Sequence, residues 1–167
     1  SPVQSAVGMD VADKMLQTAR RKILKAGLSH AIALVTGTAT RIPSKDRVFD
    51  AVTISFGIRN VVDVSQSLEE VYRVLKPGGG LLVLEFSLPQ NRLIGRIYLL
   101  YLRHVLPRVG ALISGDGFAY RYLNETIETF PYGQGFCRLL RLAGFTLVFS
   151  RPLAFGIATV YHGRKAS

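Results

Sequence analysis

The chain has 167 residues, 49% of them hydrophobic, with a mean hydropathy of +0.26 and a net charge of +10 from 21 Lys+Arg against 11 Asp+Glu. That length and apolar content fit one domain with a sizeable core and exclude intrinsic disorder. A lone cysteine, Cys137, excludes an internal disulfide and a thiolate metal site, and its apolar helical setting reads as a buried core thiol.

"SAVGM" (5–9) reads as a short strand ending at Asp10. Residues 11–26 follow as a helix, with Val11, Met15, Leu16, Ala19, Ile23 and Ala26 on one face and Gly27 closing it. "AIALVTG" (31–37) is a second strand, "TATRIPSKDRVFD" a loop, and "AVTISFG" (51–57) a third strand, apolar on both faces as a central parallel strand is. "DVSQSLEEVYRVL" (63–75) is a helix with Ser65 as N-cap and Leu68, Val71, Tyr72 and Leu75 turned inward, ended by Pro77. "GLLVLEF" (80–86) is a fourth strand. The "KPGGG" before it lies between a helix end and a strand start, which is the wrong order for a phosphate cradle, so it reads as a tight turn.

The last third changes character. "RLIGRIYLLYLRHVL" (92–106) is a helix too apolar for a free surface, with Arg92, Arg96, Arg103 and Arg108 among Tyr98, Tyr101 and leucines. It suits a membrane surface with an anionic headgroup layer, a dimer face or burial in a larger domain. A loop and a short helix capped by Asn124 come next, then a helix in "YGQGFCRLLRLAG" weakened at its start by Gly133 and Gly135. "FTLVFSR" and "FGIATVYHGRK" form an antiparallel hairpin across "PLA". Strands alternating with helices give an α/β fold with a mostly parallel sheet, in a single domain.

The high apolar content has two readings: work at a membrane surface on an apolar substrate, or membership of a larger domain that covers apolar surface. The basic balance favours anionic partners. No secretory signal is visible, and no uncharged run reaches the ~18–20 residues of a spanning helix. A cytoplasmic protein, peripheral to the inner membrane or the equivalent organelle face, is expected.

"FDAVTISFGIRNVVDVSQSLEEVYRVLKPGGGLLVLEFSLP", with "GMDVADKML" before it and "VLPRVGALISGD…YRYLNETIETFP" after it, resembles the ubiquinone/menaquinone biosynthesis C-methyltransferases. These are class I S-adenosylmethionine-dependent enzymes with a Rossmann-like sheet and a C-terminal antiparallel hairpin. The resemblance runs from about Ala6 to Lys165, as a single partial domain with a substrate-side helical insertion at about 88–130.

It implies C-methylation of a polyprenylated quinol, either demethylmenaquinol or a benzoquinol precursor of ubiquinone. It implies that Asp10 holds the cofactor ribose, that Thr38 and Ala39 flank the adenine, and that Ser55 lines the methionine end. Arg59 and Asn60 would meet the acceptor, with Tyr120, Arg121 and Tyr122 covering the ring and Tyr122 in the catalytic set. A peripheral membrane surface and a homodimer or quinone-biosynthesis complex are the implied partners.

Each role has a plainer counterpart. Asp10 also suits a helix N-terminus, Arg59 also suits a pair with a carboxylate such as Asp63, and the tyrosines also suit lid packing. His104 reads as a packed histidine, and Glu85 as a structural partner for a basic residue or a catalytic group.

The family's opening strand and "D-x-G-x-G-x-G"-like loop have no counterpart in these residues, and its usual Ser two residues past Asp10 is Ala12. Weak S-adenosylmethionine binding is therefore expected. A catalytically silent, partner-binding or quinone-binding homologue is the competing reading. A nucleic-acid partner is not expected, because "SFGIRN" stands where amino-methylating nucleic-acid enzymes carry "[D/N/S]-P-P-[Y/F/W]".

Overall fold

The computed structural model describes residues 4–108 and 117–167, with the side chains of 117–121 and 125 outside the description. Among the described residues the main strands and helices follow in chain order: β1 (Ala6–Asp10), α1 (Asp13–Lys25), β2 (Ile32–Thr36), β3 (Phe49–Ser55), α2 (Val64–Val74), β4 (Leu75–Phe86), α3 (Arg92–Leu100), α4 (Gly117–Thr129), α5 (Gln134–Leu142), β5 (Thr146–Leu153) and β6 (Ala158–Arg164). Short 3-10 turns lie at Ile58–Asn60 and Ala154–Gly156, and a π-helical turn at Tyr101–Val105 extends α3.

The α/β class and the βαβ order agree with the sequence. The strands, however, form two sheets. β1 and β2 pair in parallel as one, and β3-β4-β6-β5 form the other. β3 and β4 are parallel, while β4–β6 and β5–β6 are antiparallel, as the hairpin pattern requires. β3 is therefore an edge strand here, with its residues exposed or half-buried, and not the central strand its apolar run suggests. The centre is taken by β4 and β6.

The core is built from the second half of the chain. Leu68, Val71 and Val74 of α2, Leu81 and Val83 of β4, Phe136, Cys137 and Leu140 of α5 and Tyr161 of β6 are all buried. Phe136 stands edge-on to Tyr161 with ring centroids 4.7 Å apart. Among the described residues, none before Ile58 is buried. Helix α1 has its apolar face half-covered at Leu16, Ala19 and Ile23, and Met15 and Leu24 stay exposed.

Several local expectations change on inspection. Asp63, not Ser65, caps α2: its carboxylate accepts the Gln66 N–H at 2.9 Å. The "KPGGG" segment belongs to β4, as an irregularity within it. Phe49 faces Leu75, Ala51 faces Gly80, and the residues between bulge out with Gly78 at φ +74°. A side chain on Gly79 would meet the Lys76 and Asp50 carbonyls at 2.9 and 3.1 Å, so this bulge closes only on glycine.

Asn124 lies inside α4, not at its cap, and is buried, with its amide donating to the Leu102 carbonyl. His104 is exposed and not packed. Gly133, at φ +60°, is the residue before α5, which starts at Gln134, while Gly135 lies inside its first turn as expected.

Two polar clamps hold the layers together. Lys165 is buried and its Nζ donates to the Tyr72 and Leu75 carbonyls at 2.6 and 2.9 Å, closing the C-terminal end of α2 over the Tyr72 ring. Burial pulls its ammonium pKa down. Arg73 bonds both Glu70 oxygens, Asp46 and the Ile42 and Ser44 carbonyls, while Glu70 accepts the Ile42 N–H. This cluster ties the loop after β2 to α2.

Two outcomes follow from these clamps. Lys165→Met removes a charged donor from helix-end carbonyls and is expected to lower stability by about 2–3 kcal/mol in urea denaturation. Hydrogen bonding from Arg73 holds the Glu70 carboxyl below its ordinary range. Its stabilisation is therefore complete above the unfolded value of roughly 4.3 and is lost as pH falls through the lower folded value. Glu70→Gln is expected to flatten that acid limb of the stability–pH curve; an unchanged limb would show that the cluster contributes nothing.

Candidate active site

In parallel sheets, ligands gather at the carboxyl ends of the strands, and the sequence-nominated residues lie at such ends. Asp10 is the last residue of β1, Thr38 and Ala39 follow β2, and Ser55 is the last residue of β3. Arg59 and Asn60 lie in the 3-10 turn just beyond β3. Tyr122 lies on α4, which packs against that turn and against the π-helical turn at 101–105. Tyr120 and Arg121 have side chains outside the described set.

The turn after β3 is the most constrained part of the site. Phe56 takes a left-handed backbone, φ 52°, which is costly for a bulky residue and survives only where its surroundings impose it. Three contacts impose it. The Phe56 N–H extends the ladder to the Leu84 carbonyl at 2.8 Å, its ring lies 4.5 Å from that of Phe86, and Ile58 two residues on is fully buried.

Arg59 closes the arrangement. Its Nη1 donates to Glu85 Oε1 at 2.6 Å and to the Phe56 carbonyl at 2.7 Å, and its guanidinium carbon sits 5.2 Å from the centre of the Phe86 ring. Glu85 has no solvent exposure and also accepts the Phe86 N–H at 2.9 Å. The carboxylate partner of Arg59 is thus Glu85 of β4, while Asp63 caps α2. Arg59 Nε is buried without a hydrogen-bond partner among the described residues, and Asn60 beside it is exposed.

On the other side, Asp10 Oδ1 accepts the Ala12 N–H at 2.8 Å, which fixes the carboxylate at the tip of β1. Its second oxygen has no partner among the described residues. Ala12 gives α1 no side-chain cap. Thr38 shares a hydrogen bond with the Thr40 hydroxyl at 3.0 Å, and the Arg41 N–H closes on the Thr38 carbonyl at 3.1 Å, leaving Ala39 at the tip of a tight loop.

A carboxylate oxygen free for a diol and a small-residue loop beside it suit the adenosine half of S-adenosylmethionine. For the methionine half, the described residues offer Ser55 and no strand that runs through glycines into a helix N-terminus. The residues therefore fit one half of that cofactor.

Pattern reading offered Glu85 a basic partner and Arg59 a carboxylate; what it missed is that the two pair with each other. A signal existed: a lone acid inside the apolar run "LLVLEF" is expensive without a cation. The left-handed Phe56 had none, since phenylalanine there gives no warning of positive φ.

The sequence pattern of the ubiE/COQ5 methyltransferase family matches residues 2–165. The demethylmenaquinone methyltransferase of Deinococcus radiodurans is 44% identical over 165 residues, covering 99% of this chain and 67% of that protein. The ubiquinone/menaquinone biosynthesis C-methyltransferase UbiE of Geobacter sulfurreducens is 44% identical over 164 residues, covering 98% of this chain and 64% of its own length. The chain thus spans about two thirds of the length of the curated relatives it matches.

Among solved structures, an S-adenosylmethionine-dependent methyltransferase of Thermotoga maritima superposes with a TM-score of 0.66 at 22% identity, over 96% of this chain and 72% of that one. A putative methyltransferase of Bacillus halodurans does so with 0.66 at 18% identity, over 96% and 83%. Those likenesses establish the class I methyltransferase fold, and the family pattern together with the sequence relatives establishes the membership: the chain belongs to the ubiE/COQ5 methyltransferase family.

Proposed function

We propose that this chain is the greater part of a single methyltransferase domain that methylates a ring carbon of a polyprenylated quinol, of the demethylmenaquinol or ubiquinone-precursor type, in respiratory quinone synthesis. The observation that carries this reading is the Arg59 guanidinium at the end of β3, fixed through Nη1 by Glu85 and the Phe56 carbonyl while its Nη2 makes no hydrogen bond among the described residues. The relatives named for demethylmenaquinone and for ubiquinone/menaquinone synthesis support the substrate class.

S-Adenosylmethionine supplies an electrophilic methyl group when bound, and Asp10, Thr38, Ala39 and Ser55 are the residues that would hold it. The chain's own task at the acceptor is electrostatic. An aromatic carbon becomes nucleophilic when the neighbouring hydroxyl loses its proton, and the resulting phenolate needs a fixed donor. Arg59 is permanently protonated, so it cannot be the base; it donates to the oxygen on which charge develops. Glu85 prevents the guanidinium from reorienting, so no reorganisation is needed at the moment of reaction. Asn60, exposed beside it, or a water there relays the proton to solvent. Tyr122 on α4 covers the ring side. With the methyl donor bound, these residues would hold the ring carbon toward the methyl group, and the proton that the methylated carbon gives up would leave to solvent.

The substrate's lipid tail places the protein peripherally at a membrane, on the cytoplasmic or equivalent organelle face, as a homodimer or within a quinone-biosynthesis assembly. No described helix is long and apolar enough to cross a membrane.

Arg59→Lys keeps the charge but loses the planar fork, and with it Nη2. It is expected to lower kcat by roughly 10²–10³ in transfer of labelled methyl from millimolar S-adenosylmethionine to demethylmenaquinol, with little change in KM; an unimpaired rate would refute the role. By isothermal titration these 167 residues alone are expected to bind S-adenosylmethionine weakly, with Kd near ~1 mM or about −4 kcal/mol, since they hold one half of it. Low-micromolar binding would contradict that.

A further inference from the structure

Helix α3 and the π-helical turn after it present an apolar stripe to solvent. Leu93, Ile97 and Leu100 follow one another at helical spacing and are 68%, 59% and 59% exposed. Tyr101 and Val105 extend the stripe along the next turn, at 45% and 46%. The opposite side is seated. Gly95 is buried, and a side chain there would meet the Pro89 carbonyl at 3.0 Å; Leu102 is buried and its carbonyl is held by the Asn124 amide. Asn91 accepts the Leu93 and Ile94 N–H groups and sets the entry of the helix. The stripe is therefore fixed outward by packing on its far side.

Charge runs beside it in one sign. Arg92 and Arg96 are exposed one turn apart, flanking Leu93 and Ile97, and Arg108 and His104 are exposed at the far end. Arg103 is already paired with Glu128 and adds no free charge. From Phe86 to Arg108 the chain has no aspartate or glutamate. A row of large apolar side chains beside unopposed arginines, without an acid, matches the boundary between acyl chains and anionic headgroups. A second copy of this chain is a poorer match, because a two-fold contact through this stripe would set identical arginine rows against each other.

We propose that the Leu93–Ile97–Leu100–Tyr101–Val105 face is the surface by which this protein docks on an anionic phospholipid bilayer, with Arg92 and Arg96 on headgroup phosphates. This gives the peripheral position proposed above a definite surface. It rests on that reading for the lipid-borne substrate, but not on the chemistry of methyl transfer. Since α4 packs against both the π-helical turn and the Ile58–Asn60 turn, docking by this face would bring the Arg59 end of β3 close to the lipid.

Vesicle co-sedimentation tests it without an activity assay. The chain is expected to pellet with phosphatidylcholine vesicles containing phosphatidylglycerol, and to release as salt is raised. Ile97→Glu and Leu100→Glu, at exposed positions, are expected to abolish pelleting while circular dichroism and the thermal midpoint stay unchanged. Arg92→Ser and Arg96→Ser are each expected to weaken partitioning about fivefold on anionic vesicles and much less on neutral ones. The chain has no tryptophan, so Leu100→Trp introduces a single reporter whose emission should shift to the blue with anionic vesicles. Failure of the unaltered chain to pellet would overturn the proposal. So would pelleting unaffected by the stripe substitutions, or a dimer in light scattering that Ile97→Glu dissolves. Methyl transfer assayed on a detergent-dispersed short-chain quinol reports the catalytic reading separately, since it does not need a bilayer.

Discussion

A carboxylate with no exposure to solvent sits on β4, and the chain beyond the end of β3 is arranged around satisfying it. Removing Glu85 from water costs several kcal/mol, which is repaid only by close, well-aligned donors. Arg59 Nη1 and the Phe86 N–H provide them. To deliver the guanidinium, the chain after β3 turns sharply, takes a left-handed residue at Phe56 and drops Ile58 into the core. Helix α4 then packs on that turn. The ion pair thus does more than stabilise: it fixes where the end of β3, the aromatic pair Phe56–Phe86 and the covering helix sit relative to one another.

The two sheets differ in kind. β3-β4-β6-β5 packs helices α2 and α5 onto a dense core, whereas β1-α1-β2 has no buried residue and is joined to the rest through the Arg73 cluster and half-buried apolar contacts. β1 and β3 each have one edge unpaired among the described strands. Local opening free energies follow local burial, so Asp10 and Thr38, proposed for the cofactor, lie on the more easily opened unit, while Arg59, proposed for the acceptor, lies on the rigid one. On that proposal, cofactor affinity and acceptor geometry are set by parts of unequal stability.

Much of this was legible in the sequence, for identifiable reasons. Period-2 and period-3.6 apolar patterns placed most strands and helices to within a few residues, and "SFGIRN" and "LEFS" pointed to the family now established. Among the features that escaped, four have a clear physical reason. β3 looks central because its sequence is apolar on both faces, yet pairing depends on what lies beside it, which local pattern does not encode. The cap of α2 went to Ser65 in place of Asp63 because both can cap and only geometry chooses. Asn124 was read as a cap because its burial inside α4 arises from a contact with Leu102 in another element. The partner of Arg59 is Glu85, twenty-six residues on, and side-chain pairing at that separation leaves no periodic trace. The nominated site residues do lie at strand ends or on the covering helix. Their roles remain the proposal made above.

The order of strands in the larger sheet has a consequence for how the molecule comes into being. β6 is the last of the described strands in chain order, yet it is laid between β4 and β5, and Lys165 just after it reaches back ninety residues to close α2. Before β6 exists, β4 lacks its inner neighbour, Tyr161 is missing from the aromatic core, and the Gly133 N–H that meets its hydroxyl has no partner there. Such long-range closure makes folding slow. Until β6 is laid in place, the apolar faces of α2, α5 and the earlier strands stay uncovered, and that partly folded state is the one most exposed to aggregation.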